Sequence, residues 1–419
     1  MTEVVTAIDK VFLWRECLET TIVLFDIDGV LVQPAGYRAA VKATMDYFLD
    51  RLGVERSEFS EEIAVLFEAL GVTSEWDMVP ISLAIVLDAV FSAQLPEKEL
   101  TGLQEVLGWA QGRRFAIQVD MRAAVEVLSP RFMKAEIPSE ALLRSLQKNR
   151  GDVLAHLSPS LLMEILGNTR SVEKSLITRV FQNTVLGSKD FESVYGMTPL
   201  FTGESCLKTH DRLELDAALY EQIKKAKQAG GFYYAAYTAR PSLPPKEVQS
   251  GLKGYSPEAE QGLSLLDDEQ IPLIGYGRLA YLAEQMNIQP DAILKPAPLQ
   301  ALAALASAVT ETEYPALLWA LETFSRFSEG KVQPLEIESK VDIVGQIPRK
   351  FNLHVFEDSS IGIIAGRKAA ELLNQDGYEV AFHAWGVATE EDKVQALERV
   401  GALIFPSVDK AVREALDLE

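Results

Sequence analysis

The chain has 419 residues, of which 48% are hydrophobic, and it carries a formal net charge of −21 at pH 7. This length suits two domains, or one domain with a large insertion, and the composition suffices for packed globular cores. So acidic a surface repels nucleic acids and anionic membranes, and we therefore expect neither among the partners of the protein. The sequence leaves the oligomeric state open.

Acidic side chains interrupt residues 1–20 where a secretory signal would be apolar, so this first segment is not expected to be a signal peptide. It is predicted instead to be a helical extension. The chain contains two cysteines and no Cys-x-x-Cys pair. Neither a disulfide framework nor a zinc site is expected, and a cytoplasmic location is predicted. The longest apolar stretch, residues 81–95, contains Asp88 and is too short to span a bilayer, so it predicts a buried helix.

Residues 21–34 begin with the apolar run TIVLF, which predicts a buried strand. The run ends at Asp26 and Asp28, and Gly29 follows. Side chains alternate along an extended chain, so the two carboxylates would share one face. Two like charges this close favour a hard divalent cation such as Mg²⁺. The alternative is a plain strand followed by an Asp-Gly turn.

Residues 35–215 are predicted to form a helical domain. Apolar residues recur there at helical spacing, for example in YRAAVKATMDYFLDRL and SLITRVFQNTVL, and strand patterns are scarce. Gly53, Gly71 and Gly108 lie near the ends of such stretches and are predicted to end helices. The region is therefore expected to be an insertion after the first strand.

Strands and helices alternate in residues 216–419. An extra helical insertion is predicted at about 309–350. Strands separated by helices form parallel sheets. The expected fold class is therefore α/β, with a Rossmann-like parallel sheet and an all-helical domain inserted after its first strand. The strands predicted in this part of the chain are 232–238, 291–295, 352–358, 378–385 and 402–405.

Polar side chains end several of these predicted strands. Thr238 ends one strand, Lys295 ends the next, and Glu357 with Asp358 ends a third. Ligands bind beyond the carboxyl ends of strands in open parallel sheets, which places these residues beside the aspartates of the first strand. Taken singly, each has a plainer interpretation as a turn residue, a surface lysine or a helix cap.

This set of strand-end residues resembles the haloacid dehalogenase superfamily of phosphohydrolases and phosphomutases. Its four motifs are Asp-x-Asp-Gly, a Thr or Ser, a Lys and an acidic pair. The string FEDSSIGIIAG is similar to the form in the β-phosphoglucomutase and phosphoglycolate phosphatase branch. The resemblance covers residues 21–34 and 216–419 and implies that residues 35–215 are a C1-type helical cap. This cap is larger than usual, and Gln33-Pro34 replaces the Asp or Thr that normally follows the first motif.

The resemblance and the chemistry of the side chains imply the same roles. Asp26 would attack the phosphorus of a phosphomonoester and form an aspartyl phosphate. Asp28 would protonate the leaving oxygen and then take a proton from the hydrolytic water. Lys295 and Thr238 would stabilise the charge on the transferred phosphoryl group.

Further residues are assigned to the metal and to the substrate. Asp26, the backbone carbonyl of Asp28, and Asp358 would bind Mg²⁺, with Glu357 in or beside that shell. Besides Thr238, the predicted substrate-binding residues are Arg240 and Arg38, which lies one helical turn before Lys42. For Arg38 the alternative is a solvated helix face.

The expected function is that of a Mg²⁺-dependent hydrolase acting on a small phosphorylated metabolite, a phosphatase. Dehalogenases of this superfamily do not need an acid at the position of Asp28, so that residue favours phosphoryl transfer. A phosphomutase of the β-phosphoglucomutase type would share every motif and remains an alternative. A second alternative is a non-catalytic binding or scaffold protein built on the same core.

Overall fold

A computed structural model describes residues 20–54, 59–132, 137–248, 254–268, 270–327 and 343–417. The predicted N-terminal helix lies outside these residues apart from residue 20, as does part of the insertion predicted at 309–350. The chain divides into two compact units, one of residues up to 34 together with those from 211 onward, and the other of residues 35–210.

The first unit is built on a parallel sheet. In the described residues the strands are β1 (Thr21–Phe25), β2 (Val32–Gln33), β3 (Arg212–Leu213), β4 (Phe232–Tyr237), β5 (Leu273–Ile274), β6 (Lys350–Glu357), β7 (Glu379–Val387) and β8 (Leu403–Phe405). Six of them form one sheet in the order β5-β4-β1-β6-β7-β8, with every neighbouring pair parallel. The predicted α/β class with a Rossmann-like sheet is confirmed.

The central position of β1 follows from its composition. All five of its residues are buried, as expected for a strand covered on both faces. Ile22 and Leu24 pack into one hydrophobic core, whereas Val23 and Phe25 pack into a second core on the opposite face. Alternation along the strand thus supplies both layers from one apolar run.

Where the structure describes it, the second unit is built of helices, and it has a hydrophobic core of its own, formed by residues between Ala40 and Leu207. Gly53 and Gly71 follow the first two helices with φ of +69° and +89°, but the predicted stop at Gly108 is wrong, because that residue lies inside a helix. The helices are α1 (Ala35–Leu52), α2 (Glu61–Ala69), α3 (Glu75–Ala93), α4 (Leu103–Ala110), α5 (Met121–Leu128), α6 (Pro138–Lys148), α7 (Pro159–Leu166), α8 (Leu176–Tyr195) and α9 (Cys206–His210).

Helix α3 contains most of the longest apolar stretch of the sequence. Within the described part of the chain it is the one helix long and apolar enough to cross a membrane, and 72% of its most apolar window is buried inside the protein. It packs against α1, α6 and α7. The prediction of a buried helix is therefore confirmed.

Helices cover the sheet of the first unit. They are α10 (Ala217–Ala229), α11 (Glu258–Leu263), α12 (Tyr276–Met286), α13 (Leu299–Thr310), α14 (Tyr314–Phe327), α15 (Ser360–Gln375), α16 (Glu391–Arg399) and α17 (Val408–Ala415). The second unit ends at residue 210, whereas the sequence predicted its end at residue 215. Strand β3 pairs with β2, and this pairing includes the residues after 210 in the first unit.

The strand predicted at 291–295 is wrong. Residues Pro290–Ala292 form a 3₁₀ turn, and the neighbour of β4 at the sheet edge is the two-residue strand β5. Prolines at 290 and 296 flank the apolar pair that suggested a strand. Proline cannot donate to a strand ladder, which explains why this short run does not join the sheet.

Candidate active site

Asp26 lies immediately beyond the carboxyl end of the central strand. Its backbone N–H donates to the carbonyl of Phe356, at 3.0 Å, which extends the pairing of β1 with β6 by one residue. The register also pairs Phe25 with Ala236 of β4. The ends of three neighbouring strands therefore meet at Asp26, and its side chain is buried.

Lys295 links these strand ends although no strand carries it. Its Nζ donates to Asp26 Oδ1 at 3.0 Å, to Glu357 Oε1 at 2.6 Å and to the carbonyl of Tyr237 at 3.3 Å. It also lies 3.8 Å from the centroid of the Tyr237 ring. The ammonium thus satisfies its donors with two carboxylates and one carbonyl, as a buried cation must.

Gln300, at the start of α13, is a site residue that the sequence reasoning missed. Its Nε2 donates to the carbonyls of Thr238 and Ile274, both at 2.8 Å. The side chain is fully buried. Gln300 therefore ties the ends of β4 and β5 to the segment that carries Lys295. A polar residue at the start of an otherwise apolar helix was the available signal.

Glu357 is the last residue of β6, and Asp358 follows it directly. Glu357 is fully buried and its Oε2 accepts a hydrogen bond from Ser359 Oγ at 2.9 Å. Gly362, in the first turn of α15, packs against this carboxylate so closely that a Cβ would overlap it. Asp358 Oδ2 pairs with Lys393 at 2.8 Å.

Three carboxylates of this site could hold a metal ion. Asp26, Glu357 and Asp358 each offer an oxygen, and these oxygens lie within 4.8 Å of one another. Carboxylate oxygens are ligands that hard divalent cations prefer. The carboxylate of Asp28 is not part of this group. Within the described residues this is the one cluster of its kind.

The electrostatics of the cluster also fit a cation. Burial, followed by the charge of Glu357, raises the pKa of Asp26 well above its ordinary value despite the opposing effect of Lys295. Burial likewise raises the pKa of Asp358, although Lys393 opposes it. Burial would lower the pKa of Lys295, but Asp26 and Glu357 outweigh it and raise that pKa. Excess negative charge thus accumulates where a divalent cation would relieve it.

The carboxylate of Asp28 pairs with the guanidinium of Arg240. The guanidinium Nε lies 2.8 and 2.9 Å from the two oxygens of Asp28, and Nη2 lies 2.5 Å from Oδ1. On its other side, Nη1 lies 3.0 Å from Asp211 Oδ2. The side chains of Arg240 and Asp211 are buried, whereas that of Asp28 is 32% exposed.

Thr238 and Arg38 have different surroundings. Thr238 is buried at the end of β4, and its Oγ1 accepts a hydrogen bond from the backbone N–H of Arg240 at 3.1 Å. Arg38 lies in the helical unit, where its guanidinium contacts Glu61, Glu68 and Glu75. The substrate-binding roles of these residues stay predictions.

Comparison with known proteins supports the fold. No protein-family model and no curated protein sequence matches the chain. An X-ray structure of a Northeast Structural Genomics Consortium target, ZR25, is similar with a TM-score of 0.58 at 15% identity, covering 95% of this chain and 98% of that one. The phosphatase Tt82 from Thermococcus thioreducens is matched at a TM-score of 0.39 and 18% identity, covering 90% of this chain and 99% of that one.

Proposed function

We propose that the protein is a Mg²⁺-dependent phosphatase of the haloacid dehalogenase type that hydrolyses a small phosphomonoester. The observation that carries the proposal is the position of Asp26. Its carboxylate lies at the end of the central strand, 3.0 Å from the Lys295 ammonium and within a cluster of three carboxylates. This combination of nucleophile, fixed cation and metal ligands is what phosphoryl transfer requires.

The reaction proceeds in two displacements. In the first, an Asp26 oxygen bonds to phosphorus, the ester P–O bond breaks, and the leaving oxygen takes the proton of Asp28. In the second, the Asp28 carboxylate accepts a proton from water as the water oxygen bonds to phosphorus. The bond between phosphorus and Asp26 then breaks, which releases phosphate and restores both aspartates.

The remaining residues balance charge. Lys295 holds the Asp26 carboxylate in place and faces the negative charge that phosphate brings. Asp26, Glu357 and Asp358 would hold Mg²⁺, which when bound supplies further positive charge to the phosphoryl oxygens. The location expected for such an enzyme is the cytoplasm, and its partner is a small phosphorylated metabolite.

Turnover of a phosphomonoester panel with and without Mg²⁺ tests this proposal. Asp26→Asn should lower kcat by at least about a thousandfold while the thermal unfolding transition is retained, because the amide cannot act as the nucleophile. Asp152→Asn, which changes an exposed aspartate of the helical unit, is the matched control and should keep full activity. Unchanged turnover in Asp26→Asn would exclude the mechanism, and isomerisation of a sugar phosphate without phosphate release would identify the phosphomutase instead.

A further inference from the structure

Arg240 is buried between two carboxylates that the chain supplies from distant segments. Asp28 follows β1, shortly before the chain leaves the first unit after Pro34, and Asp211 is the first residue after the chain returns to that unit. Both guanidinium edges are used, since Nε and Nη2 face Asp28 while Nη1 faces Asp211. Gly262 of α11 makes room for this arrangement, because a Cβ there would lie 2.8 Å from Nη1.

We propose that Arg240 is a positioning residue that orients the Asp28 carboxylate for proton transfer, with Asp211 fixing the guanidinium from behind. This inference rests on the proposed phosphatase function. It differs from the direct contact with substrate phosphate that the sequence suggested for Arg240. A phosphate contact would require the guanidinium to give up one of its carboxylates.

Geometry and exposure support the positioning role. The planar fork of arginine fixes the plane of a carboxylate, which a single ammonium cannot do. Arg240 and Asp211 are almost fully buried, but a third of the Asp28 side chain is accessible. The protein thus holds Asp28 from its inner side and leaves its outer side open. Such a buried ion network costs desolvation, which argues for a role beyond stability.

The test compares two probes that differ in their need for an acid. An alkyl phosphate needs a proton on its leaving oxygen, whereas p-nitrophenyl phosphate has a good leaving group. Arg240→Lys keeps the positive charge but loses the fork. We expect it to lower kcat for the alkyl phosphate at least about tenfold more than for p-nitrophenyl phosphate, with the inhibition constant of inorganic phosphate unchanged. Asp211→Asn should show a smaller loss with the same preference.

A double-mutant cycle distinguishes the positioning role of Arg240 from a purely structural role. In an Asp28→Asn background, Arg240→Lys should cause no further selective loss, because the group it positions is gone. Guanidinium added to Arg240→Ala should restore part of the activity toward the alkyl phosphate. This second variant tests the positioning role if Arg240→Lys fails to fold. Arg326→Lys, which changes a surface arginine paired with Asp376 at 2.8 Å, is the matched control.

The results that would contradict the positioning role differ from those that would contradict the proposed function. Equal loss for both probes, additive losses in the double variant, or a weakened inhibition by inorganic phosphate would overturn the positioning role. In each of these cases the wild-type protein still hydrolyses both probes. If the wild-type protein hydrolyses neither probe with Mg²⁺, the proposed function fails and this inference fails with it.

Discussion

Lys295 is the residue on which the candidate site depends. It is the cation that the described residues place against both Asp26 and Glu357, and its contact with the Tyr237 carbonyl fixes it to β4. Burial, and then the negative charge of Glu357, raise the pKa of Asp26, so two carboxylates in this position need a cation beside them. The lysine therefore permits an acidic site to form inside the protein, and a metal ion would balance the remaining charge.

Binding of Mg²⁺ should stabilise the protein even without substrate. A ligand at ten to a hundred times its dissociation constant adds about 1–3 kcal/mol to the free energy of unfolding. The effect should shrink as the pH falls, because protons compete with the cation for carboxyl groups whose pKa values are raised. Thermal unfolding with and without MgCl₂ measures it. Asp358→Asn should lose most of the increase in Tm and Asp152→Asn should keep it; an equal increase in both would argue against the cluster.

The sequence indicated which residues lie at strand ends, but it did not indicate how their side chains pair with one another. Asp26 and Glu357 lie at strand ends because apolar runs end directly before them, a pattern that is visible without a structure. The pair of Asp28 and Arg240 joins positions 212 residues apart and depends on the path of each side chain, which periodicity does not specify. Gln300 was missed because its partners are backbone carbonyls.

At the scale of elements, α15 begins under a tight steric constraint. Gly362 faces the Glu357 carboxylate, and a Cβ at this position would overlap that carboxylate. Gly362→Ala should therefore displace Glu357 from Lys295 and lower the free energy of unfolding by about 1–3 kcal/mol, as overpacking does.

The matched control is Gly108→Ala in α4, where a Cβ meets nothing within 4 Å. Because alanine favours a helix interior, this change should raise stability by about 0.5–1 kcal/mol. Chemical denaturation measures both variants. If Gly362→Ala were as stable as Gly108→Ala, the close approach between α15 and Glu357 would be wrong.

The paired strands β6 and β7 carry a buried histidine. His354 accepts a hydrogen bond from Trp385 Nε1 at 3.0 Å and stacks on His383 with ring centroids 4.5 Å apart. Burial, and then the charge of His383, lower the pKa of His354 to about 3. The unfolded chain, with an ordinary histidine pKa near 6.5, therefore binds a proton that the folded protein excludes.

This difference should make the first unit less stable in mild acid. The contribution of His354 is fully present above about pH 6.5 and is lost as the pH falls toward 3, with a slope of up to about 1.4 kcal/mol per pH unit. Between pH 7.5 and pH 5 the loss should be about 1–2 kcal/mol greater in wild type than in His354→Asn. Urea denaturation at both pH values checks this, with His210→Asn as control. Parallel losses in wild type and His354→Asn would contradict it.

The accuracy with which the sequence predicts secondary structure also differs between elements. The apolar runs at β1, β4, β6 and β7 are long or bounded by clear turns, and their strands were predicted. The segment at 291–295 is short, and an apolar run of that length fits a strand or a turn equally well. The two-residue strand β5 carries no pattern at all, since its pairing comes from its place beside β4.

At the scale of the whole molecule, the insertion has the properties of an independent domain. Its hydrophobic core is formed by its own residues, and helices α1 and α9, from its two ends, pack against each other. A chain segment whose ends meet can leave and re-enter a sheet without disturbing it. This explains how an insertion of residues 35–210 is compatible with the parallel order of β1, β4 and β6.

A fragment of residues 35–210 should therefore fold on its own. We expect a cooperative thermal transition by circular dichroism and well-dispersed amide resonances, because burial of α3 needs only the helices of the same unit. Val86→Asp, which would place a charge at a fully buried position of α3, should abolish the transition, whereas Val65→Asp at a half-exposed position of α2 should not. A fragment with helical content but no cooperative unfolding would show that the unit depends on the rest of the chain.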